Sequence, residues 1–311
     1  MRALFFGTPA IAVPSLDALH AIAEIAAVVC QPDRPAGRGL ALKPPPVKVR
    51  ALELGLPVLQ PTKVRTPDFA QWIRDANADV ALVIAYGRIL PKAVLEAPRR
   101  GCVNLHASIL PKYRGAAPIT WCVVNGEPET GISLMQMDEG MDTGPVYTIH
   151  RTPIGPETTA DELAVTLGAL AAEVVRADLA RVVNGEIAAT PQNHALATMA
   201  PMLDKEHGRI DWNKAAPAVH DHVRGMTSWP GAFTSLQGKT LKVLESRLGA
   251  ASGEAGPPGT VVAANKQGIE VACGQGTLQI LRAQAEGRKP LGAAELVGGR
   301  TITPGALLGA R

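Results

Sequence analysis

The chain has 311 residues, 46% of them hydrophobic and 19% charged, which is globular material with enough apolar mass for two cores. Its net charge of +3 is too small to announce a nucleic-acid partner by itself, and no stretch approaches the ~20 apolar residues of a membrane span. Met1 to Gly7 reads as a strand and a turn, not a signal peptide. Cys30, Cys102, Cys122 and Cys273 lie far apart without C-x-x-C spacing, so neither a zinc knuckle nor a disulfide framework is expected. Reduced thiols in apolar context fit core positions in a cytosolic protein.

Strand and helix signals alternate through the first 150 residues, the pattern of an α/β, doubly wound, mostly parallel sheet. Strands are expected at 3–6, 25–30, 58–59, 79–85 and 101–106, with helices at 11–21, 47–54 and 68–76 between them. Gly55 serves as a helix stop. A helix at 117–124, strands at 131–137 and 145–150, and a long helix at 160–183 capped by Thr159 follow. Gly7-Thr8-Pro9 lacks the further glycines of a dinucleotide fingerprint and the Gly-Lys-Thr of a phosphate loop, so neither NAD nor ATP is expected.

Residues 31–46 carry Arg34, Arg38 and Lys43 among six prolines and glycines before the triple proline is complete, which forbids a helix or central strand there. So long a connection in a compact sheet is commonly functional. Residues 190–207 have no apolar period and are expected to link a domain at 1–189 to one at 208–311. The second begins with a helix at 215–226 and continues in short strands at 232–236, 240–246, 260–263, 269–273 and 277–283, which suit a small closed barrel of the oligonucleotide-binding kind. From Gly208 onward twelve Lys/Arg face seven Asp/Glu, a net +5 on a slightly acidic remainder, which hints at a polyanionic partner.

The densest chemistry lies in Asn104-Leu105-His106-Ala107-Ser108-Ile109-Leu110-Pro111-Lys112-Tyr113-Arg114-Gly115, followed by a Gly-punctuated acidic loop with Asp142, 36 residues after His106. Residues two apart on a strand share a face, so Asn104 and His106 project together. An amide, an imidazole and a carboxylate are the groups an acyl transfer needs: a donor for the nascent oxyanion, an acid–base group, and a charge that sets its state. An oxyanion donor is worth about 2.7 to 4 kcal/mol. Asp142, on reaching the imidazole, favours the charged ring and fixes its tautomer, or takes the amine proton itself. His220-Asp221-His222 falls in a helix pattern where residues two apart diverge, and Asp138 to Asp142 lacks the calcium-loop order, so no metal is expected.

The string Asn-x-His-x-Ser-x-Leu-Pro-x-Tyr-Arg-Gly with the later Asp142 resembles the formyltransferase family that uses 10-formyltetrahydrofolate. The opening Phe5-Phe6-Gly7-Thr8-Pro9, the loop Gln31 to Gly39, and the C-terminal Arg209-Ile210-Asp211-Trp212 and Trp229-Pro230-Gly231-Ala232 are similar to those members whose acceptor is methionyl-tRNA. Ile109 is the one departure noticed in the central string, where the family more often has Leu.

This resemblance implies a Rossmann-like N-terminal domain, a smaller OB-like C-terminal β-barrel, and Asn104, His106 and Asp142 as catalytic residues without a metal. It further implies a folate co-substrate held along Ser108, Ile109, Leu110 and Pro111; Ile84, Tyr86 and Leu90, just after a buried strand where a doubly wound sheet opens its crevice, are expected as a second wall of that pocket. It implies initiator methionyl-tRNA contacted by Arg34, Arg38 and Lys43; Lys239, Lys242 and Arg247, spread over strands and turns of the second domain, are expected to meet phosphates on one barrel face. Arg282, Arg288 and Lys289 add to the basic residues there. A cytoplasmic monomer with no membrane partner is expected. The same trio would also serve a formyltransferase for a small amine, such as glycinamide ribonucleotide or an amino sugar nucleotide, or a hydrolase of 10-formyltetrahydrofolate. A tRNA-binding module with a dead site is disfavoured, because all three positions hold competent residues.

Overall fold

The computed structural model describes residues 1–36, 41–249 and 255–309. They form two compact units: Met1–Pro118, Glu129–Thr152 and Ala164–Pro201 make the first, and Ile119–Pro128, Pro153–Leu163 and Met202–Arg311 the second.

The strands of the first unit, in chain order, are β1 (Arg2–Gly7), β2 (Glu24–Val29), β3 (Arg34–Ala36), β4 (Ala41–Lys43), β5 (Val58–Leu59), β6 (Val80–Ile84), β7 (Cys102–His106), β8 (Arg114–Gly115), β9 (Glu129–Gln136), β10 (Val146–Pro153) and β11 (Met199–Ala200). Seven of them make one sheet in the order β10-β9-β7-β6-β1-β2-β5. The run from β7 to β5 is parallel, and β9 joins β7 antiparallel with His106 opposite Ser133 and Asn104 opposite Met135. Every residue of β6 and β7 is buried, which is why the central strands read as unbroken apolar runs. Burial on β10 alternates, as expected for an edge strand with one wet face.

Helices α1 (Val13–Ile22), α2 (Pro46–Glu53), α3 (Pro67–Asp75) and α4 (Lys92–Leu95) carry the crossovers. Thr66 caps α3 by accepting from the Phe69 amide at 3.2 Å. Strand order reverses between β1 and β6, the switch point where doubly wound sheets open a crevice. There Thr8 Oγ1 donates to the Tyr86 carbonyl at 3.2 Å.

The loop at 31–46 holds more order than its prolines suggest: β3 and β4 form a small hairpin with Arg34 opposite Lys43. Arg38 lies outside the described residues. The single helix expected at 160–183 is broken by a π turn, Val175–Leu179, between α6 (Ala160–Val174) and α7 (Ala180–Val183); α5 (Pro118–Val124) precedes them in the chain. Buried Asp178 in that turn accepts from Thr148 Oγ1 at 2.8 Å and His150 Nε2 at 2.7 Å, tying it to β10. Thr159 and Glu162 form a reciprocal capping box at the start of α6.

In the second unit α8 (Ala216–Gly225) packs on an antiparallel sheet of β12 (Phe233–Leu236), β13 (Lys239–Leu248), β14 (Val261–Asn265), β15 (Gly268–Ala272) and β16 (Thr277–Ala285), in the order β12-β13-β16-β15-β14. β17 (Leu291–Gly292) pairs with β16 and leads into α9 (Ala293–Gly298). The sheet closes through the tail. Leu308 bridges to Leu236 at one edge and Leu307 to Thr260 at the other, with the Gly309 amide donating to Ser235 and the Leu308 amide to Gly259. The result is the OB-like barrel that the strand spacing predicts.

Trp212 plugs this seam. Its indole is 4% exposed, donates from Nε1 to Thr234 Oγ1 at 3.0 Å, and lies where a Cβ on Gly309 would meet it at 3.2 Å and one on Gly259 at 3.5 Å. The two C-terminal strings noted in the sequence meet beside it, because Gly208 abuts Gly231 so closely that a Cβ would stand 2.2 Å from the Gly231 carbonyl oxygen. All four cysteines are buried and none is in a disulfide among the described residues, and burial pushes the Cys30, Cys102 and Cys273 thiols up to about 11, about 12 and about 11. Among the described residues no helix is long and apolar enough to cross a membrane.

Candidate active site

Period-two geometry puts Asn104 and His106 on one face of β7, at 9% and 5% exposure. The loop between β9 and β10 returns Asp142 to that face. Its Oδ1 is 3.5 Å from both Asn104 Nδ2 and His106 Nδ1, and its Oδ2 accepts the Gly115 amide at 2.9 Å. Asp142 adopts a left-handed φ of 53°, which a short polar side chain tolerates better than most.

The other imidazole nitrogen settles the tautomer. His106 Nε2 is 2.9 Å from the Tyr113 carbonyl oxygen, which can only accept, so Nε2 carries a proton. Proton exchange is thereby confined to Nδ1, the nitrogen that faces Asp142. An amide donor, an imidazole with one free position and a carboxylate thus share one small volume. That combination suits attack by an amine on a carbonyl carbon.

Two supports come from segments without an obvious sequence signal. β8 pairs in parallel with β11, placing Arg114 opposite Met199 and Gly115 opposite Ala200. Gln192 lies between Arg114 and the Asp142 loop, donating from Nε2 to the carbonyls of Asp142 at 2.9 Å and Gly144 at 2.7 Å. Its Oε1 accepts from Arg114 Nε at 3.1 Å and Nη2 at 2.6 Å. The stretch that reads as a linker therefore contributes side chains to the first unit.

The segment proposed for folate is placed in a mixed way. Ser108 is fully buried, donating from Oγ to the Lys112 carbonyl at 2.6 Å while its own carbonyl accepts from Ser133 Oγ at 2.6 Å. Leu110 is buried, whereas Ile109 and Pro111 are partly accessible. The side chains of Ile84, Tyr86 and Leu90 are buried. The exposed residues of the 84–90 segment are Ala85, at a left-handed φ of 47°, Gly87 and Ile89. Val83 is opposite Asn104, so this segment leaves the sheet beside His106. Tyr86 packs edge-on to Phe6, and its buried hydroxyl has no partner among the described residues. Burial pushes the phenol up to about 12.

The basic residues fall into two groups. Arg34 and Lys43 are exposed and directly opposite on the hairpin, a like-charge pair that is unfavourable without a counter-charge. Asp33 does not supply it, because Lys48 and Gln60 hold that carboxylate and keep its pKa below the usual value. Lys239, Lys242 and Arg247 are all exposed on β13, yet Lys239 and Lys242 are three residues apart and project to opposite faces.

Comparison with known proteins defines the class first. The formyl transferase family matches residues 1–177 and its C-terminal domain residues 202–301, and the chain belongs to that family. Within it, the chain is 71% identical to the methionyl-tRNA formyltransferase of Sorangium cellulosum (strain So ce56), over 99% of this chain and 100% of the relative. It is 49% identical to the enzyme of the same name from Myxococcus xanthus (strain DK1622), over 98% and 97%. The fold is shared with an N-formyltransferase from Helicobacter canadensis in complex with folinic acid and dTDP-3-aminofucose, at TM-score 0.66, 18% identity and 91% and 98% coverage. Methionyl-tRNA formyltransferase from Clostridium thermocellum superposes at TM-score 0.56, with 15% identity over 80% of this chain and 94% of that one.

Proposed function

We propose that this chain transfers the formyl group of 10-formyltetrahydrofolate to the α-amino group of methionyl-initiator tRNA. The observation that carries this reading is the 71% identity to a methionyl-tRNA formyltransferase across both units. A small-amine acceptor would leave the basic hairpin without a role. The reading carries with it a cytoplasmic monomer, with residues 1–189 catalytic, 208–311 holding tRNA, and 190–207 joining them.

In the reaction the acceptor nitrogen bonds to the formyl carbon, the carbonyl oxygen becomes an oxyanion, and the bond to the folate nitrogen breaks. One proton leaves the amine and one arrives on the folate nitrogen, so the balance closes without a metal or redox partner. Asn104 donates its amide to the oxyanion while His106 Nδ1 and the Asp142 carboxylate move the protons. The Tyr113 carbonyl, by holding Nε2–H, keeps the ring from turning. The aminoacyl ester lowers the basicity of the acceptor amine, so the site does not need a strong base.

The direct test is transfer of labelled formyl from 10-formyltetrahydrofolate to charged initiator tRNA, with elongator tRNA as control. Formate release without acceptor would instead identify a hydrolase. Neutralising Arg34 and Lys43 together is expected to weaken tRNA binding and reduce the slope of log affinity against log salt by about one to two, measured by filter binding across a salt series. An unchanged slope would remove the hairpin from the interface. Tyr86→Phe removes a buried hydroxyl that has no partner among the described residues, whose desolvation costs about 1–3 kcal/mol. Its melting temperature should hold or rise, and a severalfold increase in folate KM would mark the hydroxyl as a pterin contact.

A further inference from the structure

We propose that Gln192 is the positioning residue of the active site, acting through Asp142 and never touching a substrate. This rests on the functional reading above, which gives Asp142 its role. All four hydrogen-bonding positions of the Gln192 amide are used: two donors on the Asp142 and Gly144 carbonyls, two acceptor positions on one guanidinium. The side chain is 9% exposed, so the arrangement is fixed within the protein interior.

Both ends of this bridge lead to the same carboxylate. On the main-chain side, Gln192 holds the peptide of Asp142 itself, which sits in a left-handed conformation and needs the surroundings to keep it there. On the other side it holds Arg114, whose neighbour Gly115 donates its amide to Asp142 Oδ2 at 2.9 Å. Arg114 Nη2 reaches His194 Nδ1 as well, at 3.1 Å, and the Tyr113 amide donates to Thr198 Oγ1 at 2.9 Å, so the segment carrying Gln192 is anchored around it. Asp142 makes only long contacts with the reacting pair, 3.5 Å to Asn104 and to His106, so its placement is left to this frame.

The chemistry explains why an amide is needed. Glutamate would satisfy Arg114 equally well but would turn oxygen, not hydrogen, toward two carbonyl oxygens. Gln192→Glu therefore keeps the size and the arginine contact while repelling the Asp142 loop. A displacement of the order of 1 Å at a reacting group costs about 10²-fold in rate.

The experiment is a double-mutant cycle on kcat with Gln192→Glu and Asp142→Asn, alone and combined, with KM for folate and for methionyl-tRNA measured throughout. Gln192→Glu is expected to lower kcat by about 10- to 100-fold with each KM within about twofold. In the Asp142→Asn background the same change is expected to cost less than about threefold, because its target is already gone. Losses that multiply, or a raised KM with kcat intact, would overturn the inference and leave the role of Asp142 standing. Full turnover in Asp142→Asn alone would instead defeat the functional reading, and this inference with it. If Gln192→Glu does not fold, Gln192→Asn, which keeps the amide but shortens its reach, replaces it in the same cycle with the same expected and overturning results.

Discussion

His106→Ala is expected to lower single-turnover formyl transfer by about 10²- to 10⁴-fold, the range a positioned general acid–base group contributes. Asn104 carries no titratable proton, and Asp142, 3.5 Å from Nδ1, is the other group of the trio able to take one, so residual transfer would run through its carboxylate. Asp142→Asn should fall by a similar factor, because the carboxylate that faces Nδ1 is lost while the Gly115 contact can persist. The double variant should be little slower than the worse single one, since groups acting as a unit lose their effect together. Asn104→Ala, which removes the oxyanion donor, should cost about 10²- to 10³-fold in kcat. Stability must be measured alongside, because His106→Ala removes the hydrogen bond from Nε2 to the Tyr113 carbonyl, worth about 0.5–1.5 kcal/mol. Near-normal turnover in a folded His106→Ala protein would take the proton traffic away from this residue.

The second large effect concerns the barrel. Trp212→Ala should destabilise the second unit by about 3–5 kcal/mol, the usual cost of deleting a buried large aromatic. The loss is at the upper end because the indole fills the seam where the tail crosses from Leu236 to Thr260, and its neighbours there are Gly259 and Gly309, which have no side chains to collapse into the void. Trp212→Phe keeps most of the volume and loses the bond to Thr234 Oγ1, which should cost nearer about 1–2 kcal/mol. Amide exchange at Val271 and Ile280, both fully buried in the barrel, reads the effect on this unit directly. Equal protection in wild type and Trp212→Ala would show that the seam does not limit opening.

Much of the architecture is visible in the sequence, for identifiable reasons. β1, β6 and β7 are buried on both faces and so appear as apolar runs, against which Asn104 and His106 stand out two residues apart. Thr159 is legible as a cap because Glu162 completes its box. The less regular parts are not legible. β8 and β11 are two residues each and 85 apart, too short to carry a period. Gln192 sits in a polar stretch whose composition signals a loop, and its partners lie about 50 and 78 residues away. The hairpin of β3 and β4 contains Pro35, which argues against a strand except at such an edge. The burial of Ile84, Tyr86 and Leu90 is legible because a hydrophobic pattern marks burial, while the pattern is silent on what does the covering.

The pairing of Gly115 with Ala200 also has a consequence for biosynthesis. A growing chain possesses Asn104, His106 and Asp142 once residue 142 is added, yet the elements that brace Asp142 arrive only with Gln192 and the strand ending at Ala200. At the usual 5–20 residues per second this is a delay of roughly 3–12 s. During that interval the nascent polypeptide lacks the Gln192 hydrogen bonds and the β8–β11 pairing that hold the Asp142 loop, which form only when a late segment returns to an early one.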